Sequence, residues 1–350
     1  MSDIINLRDK IDKITLEILK MIKERNEVAK EIGNVKNNLK MGITNEEREN
    51  QLRIKVLTFC KEIGLDEKTA LNALNYLFNE SVKIQSSGKQ THLSVFLKAK
   101  ALEREGKKII HMEVGEPDFA PPRIVNEALS QVYDIGYTKY GDSKGMVEFR
   151  DALAKYVSNT FHTKTNLENI IVSPGARFSV FLAISTLLNP GNELIVIEPA
   201  WPAYRDNALN SGIKVRTIHT TLENKWEPKI EEIESAINQN TKMIVLNYPN
   251  NPTGKILPEK LQDNIIDLAK KKNLYVLSDE IYSSYAYKSW KSILSYEYEK
   301  SIITQSFSKS HAMTGFRIGY AISAPEIVDK MSKLQALAMT NVSEPTQYVA

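Results

Sequence analysis

Lys309 stands among three hydroxyl residues, Ser306, Ser308 and Ser310, directly after the apolar-rich run SIITQSF, and Arg317 follows in GFRIGY. A primary amine placed there suggests a covalent imine with a carbonyl compound. The hydroxyls and a planar guanidinium would suit a phosphate. Alone, the segment is equally compatible with a solvated lysine in a Ser-rich turn. Other unusual residues gather upstream, each at the end of an apolar run. IIVSP leads to Gly175, Ala176 and Arg177, whose backbone N–H groups would open a helix and can receive a phosphate. ELIVIEP leads to Trp201, suited to lie on an aromatic ring or to fill a core or interface. KMIVLNYP leads to Asn251 in a rigid Asn-Pro-Thr-Gly turn, and LYVLS to Asp279 and Tyr282. An aspartate at the end of a buried strand is a candidate partner for a protonated ring nitrogen.

A second set lies near the N-terminus. Leu7, Ile11, Ile14, Ile18, Met21, Arg25, Val28, Ile32, Val35 and Leu39 recur at alternating spacings of four and three, a heptad seam broken only by the arginine. A cation on a buried stripe needs an anionic partner. Lys36 returns to within about 20° of Arg25 at 100° per residue. Either both cations face one interior, or both extend outward to water or local carboxylates. Ser81 and Gln85 likewise replace apolar residues late in another helical pattern.

The elements needed to position these residues differ between the two parts of the chain. Up to about residue 90 the pattern is helical: a long first helix, a second opening at a Thr44–Glu47 capping box and closing at Gly64, and a third capped by Asp66. The polar stretch QSSGKQ marks a boundary near residue 90. Beyond it, β-rich runs (IIHMEV, IIVSPG, ELIVIEP, KMIVLNYP, LYVLSDE, SIITQSFS, RIGYAIS) alternate with helical patterns such as VEFRDALAKYV and PEKLQDNIIDLAKKKN. That alternation predicts an α/β domain with a largely parallel sheet, whose ligands sit at the carboxyl ends of the strands.

Composition narrows the classes. The 350 residues suffice for two domains, and 46 basic against 43 acidic residues leave a net charge of +3, no footprint for nucleic acid. One cysteine, Cys60, rules out an intrachain disulfide framework, and the five histidines show no metal-ligand spacing. No signal peptide or long uncharged apolar run is present, which leads us to expect a cytoplasmic protein.

The first ninety residues resemble the all-helical chorismate mutases: LRDKID, ERNEVAKEIGNVK, EERE and NESVKIQ match in order and spacing. The resemblance implies a homodimer whose first helices pair and whose sites each borrow one arginine, here Arg8. It implies that Arg8 and Arg25 take the two carboxylates of chorismate, that Lys36 and Gln85 donate to the ether oxygen, and that Glu49 accepts from the ring hydroxyl. Arg48 and Ser81 are supporting contacts. Asn45 stands where the family often has aspartate, so altered affinity is expected. The competing reading is a helical dimerisation arm.

From about residue 92 onward the chain resembles fold type I aminotransferases that use pyridoxal 5'-phosphate, in their aspartate and aromatic branch, through NPTG, SDEIY, SFSK and GFRIGY. The resemblance implies that Lys309 carries the cofactor and shuttles the proton, and that Asp279 keeps the ring nitrogen protonated. Tyr282 and Asn251 would bond the ring oxygen, Trp201 would stack on the ring, and Gly175, Ala176, Ser306 and Arg317 would cradle the phosphate. Tyr140 matches a tyrosine that reaches the neighbouring subunit's phosphate, and Gly115 a contact near the substrate carboxylate.

The sequence stops at Ala350, before the arginine that in this family clamps the substrate's α-carboxylate, which suggests a fragment whose small domain, from about Pro325, lacks its partners. The alternative is a mutase fused to a cofactor-binding domain deficient in transamination. Prephenate carries the 2-oxo acid group that an aminotransferase accepts. The expected protein is therefore a bifunctional enzyme of phenylalanine and tyrosine synthesis, with aspartate and oxaloacetate as further candidate substrates.

Overall fold

A computed structural model describes residues 2–38, 46–86, 92–112 and 114–350. They divide into two compact units, Met1–Gly115 and Glu116–Ala350. The first is helical, with α1 Ser2–Asn38, α2 Glu46–Ile63, α3 Glu67–Ser86 and α4 His92–Arg104. Gly64, at φ 69°, ends α2 in the left-handed region, and the Leu65 N–H returns to the Cys60 carbonyl at 3.0 Å. Asp66 then caps α3 by accepting from the Thr69 N–H at 2.9 Å. The capping box expected at Thr44 lies outside the described residues.

α3 packs against both α1 and α2. Along α1, Ile22, Arg25, Asn26, Ala29, Gly33 and Lys36 are buried or half-buried, a stripe of helical period. A Cβ on Gly33 would lie 3.0 Å from Gln85 Cα, so the absent side chain sets how closely α1 and α3 approach. The apolar seam read from the sequence is a different stripe: Leu7, Ile11, Ile14, Ile18, Met21, Val28, Ile32 and Val35 are all exposed in the single chain. Arg25 and Lys36 thus share a face, as their spacing predicts, but it is the face toward α3 and not the seam. At 37 residues α1 runs about 55 Å, whereas the 20 residues of α3 reach about 30 Å. The N-terminal half of α1 is left uncovered by the described residues of the unit.

The second unit begins with α5 Arg123–Ile135 and α6 Val147–Phe161. It continues through β1 Ile170–Ser173, α7 Ala176–Leu187, β2 Glu193–Glu198, α8 Ala203–Asn210, β3 Lys214–His219, α9 Ile230–Ala236, β4 Thr241–Leu246, α10 Glu259–Lys271 and β5 Tyr275–Asp279. It ends with β6 Ser301–Ser306, α11 Phe307–Ser310, β7 Gly319–Ile322, α12 Pro325–Met339 and α13 Glu344–Val349. The sheet has seven strands in the order β1-β7-β6-β5-β4-β2-β3, parallel except for β7, which runs antiparallel to both neighbours. Because both faces are covered, the central strands are apolar runs without alternation. Leu153, Val157, Ile233, Ile265 and Ile266 of α6, α9 and α10 lie in the core on one face. Val180, Tyr204, Ile327 and Met331 of α7, α8 and α12 lie in the core on the other.

Two expectations change, and one strand that the sequence reading did not include is present. Residues 109–112 of the run IIHMEV form no strand, and Ile110 and Met112 are exposed, since no neighbouring ladder reaches them among the described residues. β3, whose sequence KVRTIH mixes charge with apolar residues, does form one. It is an edge strand, so most of it meets solvent. The segment from Pro325 does not lack partners: α12 packs on α7 and β1, and buried Gln335 donates to the carbonyls of Ser143 (2.6 Å) and Val172 (2.8 Å).

Candidate active sites

In the helical unit Arg25, Ser81 and Gln85 meet where α1 packs against α3. Arg25 Nη1 donates to the Leu77 carbonyl at 2.9 Å and to Ser81 Oγ at 2.6 Å. Burial alone draws its pKa down from the ordinary arginine value. Among the described residues it has no carboxylate partner, so a half-buried cation is oriented without being neutralised. Gln85 packs on Gly33, and its Oε1 is buried without a partner among the described residues, as is Asn26 Oδ1 beside Arg25. Lys36 is half-buried on the same stripe of α1. On α2, Arg48 is exposed with Nη1 3.5 Å from Gln51 Oε1, and Glu49 is half-buried. Arg8 is exposed on the uncovered half of α1, away from this cluster. Asn45 lies outside the described residues.

In the sheet unit the expected residues sit beyond the carboxyl ends of β1, β2, β4, β5 and β6. Asp279 closes β5 and is 3% exposed. Register places Thr304 of β6 opposite it, and Thr304 Oγ1 donates to Asp279 Oδ1 at 3.0 Å. The phenol of Tyr204 on α8 donates to Oδ2 at 2.7 Å, while Asn247 Nδ2 holds the backbone carbonyl at 2.9 Å. Burial raises the Asp279 pKa against the lowering effect of these donors. The Tyr204 phenol, wholly buried beside the carboxylate, is pushed well above its usual value. No cation pairs with Asp279 among the described residues. A buried carboxylate with oriented donors and no counter-charge is suited to receive a cationic ring N–H.

Lys309 lies on α11, one short turn beyond β6, and Tyr285 Oη donates to its backbone carbonyl at 2.9 Å. Burial is the main cause of its lowered pKa, with repulsion from Arg317 adding to it and Glu116 opposing it. More of the amine is therefore neutral, the form that attacks a carbonyl. Asn251 Nδ2 donates to Tyr282 Oη at 3.1 Å, so these two polar tips converge as one pair.

Gly175, at φ 88°, turns β1 into α7, and a Cβ there would come within 2.6 Å of an Arg317 nitrogen. The Arg317 guanidinium is fixed by the carbonyls of Thr314 (2.8 Å) and Pro174 (3.0 Å), and its pKa is lowered by burial and then by Arg177. Two guanidiniums and a helix N-terminus thus converge, with no carboxylate paired to either arginine among the described residues. That donor set fits a phosphate dianion. A cavity of about 380 Å³ adjoins it between Pro174, Arg177, Asn207 and Arg317. Asn207 Nδ2, buried without a partner among the described residues, adds a donor there.

The remaining expected residues have neighbours of their own in the single chain. Trp201 takes the Arg177 guanidinium 4.7 Å above its ring and Tyr204 edge-on at 5.3 Å. Ser306 accepts from the Ser308 N–H at 3.1 Å and donates to the Ile318 carbonyl at 2.8 Å, so its hydroxyl caps α11. Tyr140 is 87% exposed. Gly115 is exposed at the end of the first unit. Tyr204, Thr304 and Asn247 were not singled out from the sequence. Only the cross-strand register and the approach of α8 to β5 reveal them.

Two family models match the chain: Chorismate mutase type II over residues 7–86, and Aminotransferase class I and II over residues 107–350. An aspartate aminotransferase of Thermotoga maritima is 35% identical over 256 residues, covering 72% of this chain and 68% of its own length. An aspartate/prephenate aminotransferase of Thermus thermophilus is 32% identical over 269 residues, covering 77% of this chain and 70% of its own. The crystal structure of the Thermotoga maritima aspartate aminotransferase superposes with a TM-score of 0.72 at 33% identity, covering 75% of this chain and 72% of that one. The chain spans about two thirds of the length of the curated relatives it matches, 68% and 62% for two of them.

Proposed function

We propose, for a chain that belongs to the class I and II aminotransferases and carries a type II chorismate mutase domain ahead of them, two consecutive reactions of aromatic amino acid synthesis. The helical domain, with its border near residue 90, converts chorismate to prephenate. The second domain transfers an amine to prephenate or an aromatic 2-oxo acid, with aspartate and oxaloacetate as the other substrate pair. Relatives named aspartate aminotransferase and aspartate/prephenate aminotransferase support that substrate class.

The observation that carries the reading is Asp279, a deeply buried carboxylate with two hydroxyl donors and no cation among the described residues, in the same site region as a lysine of lowered pKa. The residues present fit pyridoxal 5'-phosphate. Asp279 would hold its ring nitrogen, Asn251 and Tyr282 its ring oxygen, Trp201 one ring face, and Lys309 its aldehyde carbon. The first turn of α7 from Gly175 through Ala176 and Arg177, with Ser306 and Arg317, would hold the phosphate, and the exposed Tyr140 would serve a neighbouring subunit. When bound, that cofactor supplies an electron sink for charge developing at the substrate's α-carbon. Lys309 Nζ, more readily neutral than an ordinary lysine, takes the α-proton and returns it. Gly115 would lie near the substrate carboxylate.

Chorismate rearrangement needs no nucleophile; it needs a compact conformer and donors at the ether oxygen. Arg25, held by Ser81, meets one carboxylate, and Arg8 of a second copy meets the other. Lys36 and Gln85 donate to the ether oxygen, Glu49 accepts from the ring hydroxyl with Asn45 nearby, and Arg48 supports. The uncovered apolar seam of α1 favours a homodimer. No described helix is long and apolar enough to cross a membrane, and we place the enzyme in the cytoplasm.

Coupled assays test the assignment. Purified protein with pyridoxal 5'-phosphate, chorismate and an amino donor should consume chorismate and then aminate the product. Amination with prephenate, phenylpyruvate and 4-hydroxyphenylpyruvate all far slower than with oxaloacetate would overturn the aromatic assignment. Absence of chorismate turnover would overturn the mutase.

A further inference from the structure

Glu280 follows Asp279 directly and has no part in the roles assigned above. It is 1% exposed, yet it accepts three hydrogen bonds: from Ser278 Oγ (3.0 Å) and the Ile293 N–H (2.9 Å) at Oε1, and from Ser292 Oγ (2.7 Å) at Oε2. Ser278 belongs to β5, whereas Ser292 and Ile293 lie at the far end of the segment that leaves β5 and returns to the core. Between these ends the segment passes through an exposed stretch, Tyr287 to Ser289. Before that stretch it carries Tyr282, paired with Asn251, and Tyr285, bonded to the Lys309 carbonyl. Further ties to the strap are Gln305 Nε2 to Ser283 Oγ at 3.2 Å and Trp290 Nε1 to the Tyr248 carbonyl at 3.2 Å.

We infer that Glu280 is a positioning residue, a latch that joins both ends of strap 281–293 to β5 and thereby holds Tyr282 against Asn251 and Tyr285 against the Lys309 backbone. The inference rests on the aminotransferase reading for what Tyr282 and Lys309 do, but the latch itself is a property of the fold. A carboxyl group is the side chain that suits the place. It presents two acceptor oxygens to three donors arriving from two directions, and no aliphatic residue of that volume would satisfy them. Burial pushes its pKa up to about 7, and no cation among the described residues offsets this. The group is therefore kept for what it binds and not as half of an ion pair.

Hydrogen exchange followed by mass spectrometry, on the full chain with pyridoxal 5'-phosphate, tests this. E280A should raise amide exchange across residues 281–293 by about tenfold or more while β2 and β4 stay within about twofold. The same variant should weaken retention of the cofactor on dialysis by a similar factor, because the Tyr282–Asn251 pair loosens. E280Q keeps an acceptor for Ser278 and Ile293 and should recover most of both effects. Unchanged strap exchange in E280A, a rise spread evenly over the sheet, or a strap that loosens without loss of cofactor would each overturn the inference. Should E280A not fold, S292A removes only the Oε2 partner and must show the same pattern in smaller measure. Wild-type protein that holds no cofactor would defeat the aminotransferase reading, while the exchange comparison would still decide the latch.

Discussion

At the residue scale Asp279, which ends β5, and Glu280, which follows it, do opposite things with the same burial. Asp279 turns toward the site and keeps both oxygens supplied by hydroxyls. Replacing it with asparagine leaves one oxygen for those donors and removes a charge that burial disfavours. D279N should thus unfold no more readily than wild type when cofactor is absent. Its amino-donor half-reaction, followed by stopped-flow absorbance, should slow by about a hundredfold or more once the ring nitrogen has lost its counter-charge. Loss of folding with normal turnover would contradict the placement. Glu280 turns into the core, facing the neighbouring Asp279 and the Tyr320 phenol on β7. Its folded pKa of about 7 lies above the 4.5 of a free glutamate, so its proton is held more tightly folded than unfolded. That contribution to stability is complete below about pH 4.5 and is lost as pH rises toward 7. Denaturant titrations of wild type and E280Q should therefore diverge over that window, in favour of E280Q by roughly 3 kcal/mol at most, and run parallel above it.

At the scale of elements, each unit hangs on a close approach that one glycine permits. In the helical unit a Cβ at residue 33 would meet the Gln85 backbone at 3.0 Å, so G33A should push α1 off α3 and pull Arg25 from Ser81. In the sheet unit G175A would set a Cβ against the Arg317 guanidinium and strain a backbone at φ 88°. Each substitution should depress one activity by about tenfold and leave the other within twofold, since each destabilises its own unit by about 1–3 kcal/mol. Parallel assays of chorismate consumption and amine transfer on both variants check this; a joint loss in either would refute it. Much of this arrangement was legible in the sequence because apolar runs ending in single unusual residues are how buried parallel strands present a site. The segments ending at Gly175, Trp201, Asn251, Asp279 and Lys309 all read that way. What was not legible depends on register and packing. Tyr204 reaches Asp279 only because α8 lies over the sheet, and Thr304 only because β6 pairs with β5 in one register. Likewise the heptad spacing of α1 marked an apolar stripe without saying that α3 takes the neighbouring one.

For the whole molecule, the N-terminal half of α1 is a surface that the described residues of the helical unit leave uncovered. Ile4, Leu7, Ile11, Ile14, Ile18 and Met21 are exposed along it, and a contiguous apolar stripe of that length is the mark of an interface. Arg8 lies on the same half, about 25 Å of helix from Arg25 at 1.5 Å per residue. One chain therefore cannot bring both arginines to one substrate as small as chorismate. If two copies pair through α1, each mutase site takes Arg25 from one chain and Arg8 from the other. This separates the dimer from every monomeric alternative by complementation. R8A and R25A should each be nearly inactive in chorismate turnover. In a dimer of one R8A and one R25A chain, the site built on the R8A chain's Arg25 receives the R25A chain's intact Arg8, while the other site lacks both. Equal co-expression puts half the molecules in mixed dimers with one sound site of two, so about a quarter of wild-type turnover should return. Mixing already assembled homodimers should restore it only as fast as subunits exchange. Activity that stays at the level of the single variants after co-expression, with mixed dimers demonstrated by tagged pull-down, would show that Arg8 does not act across the interface.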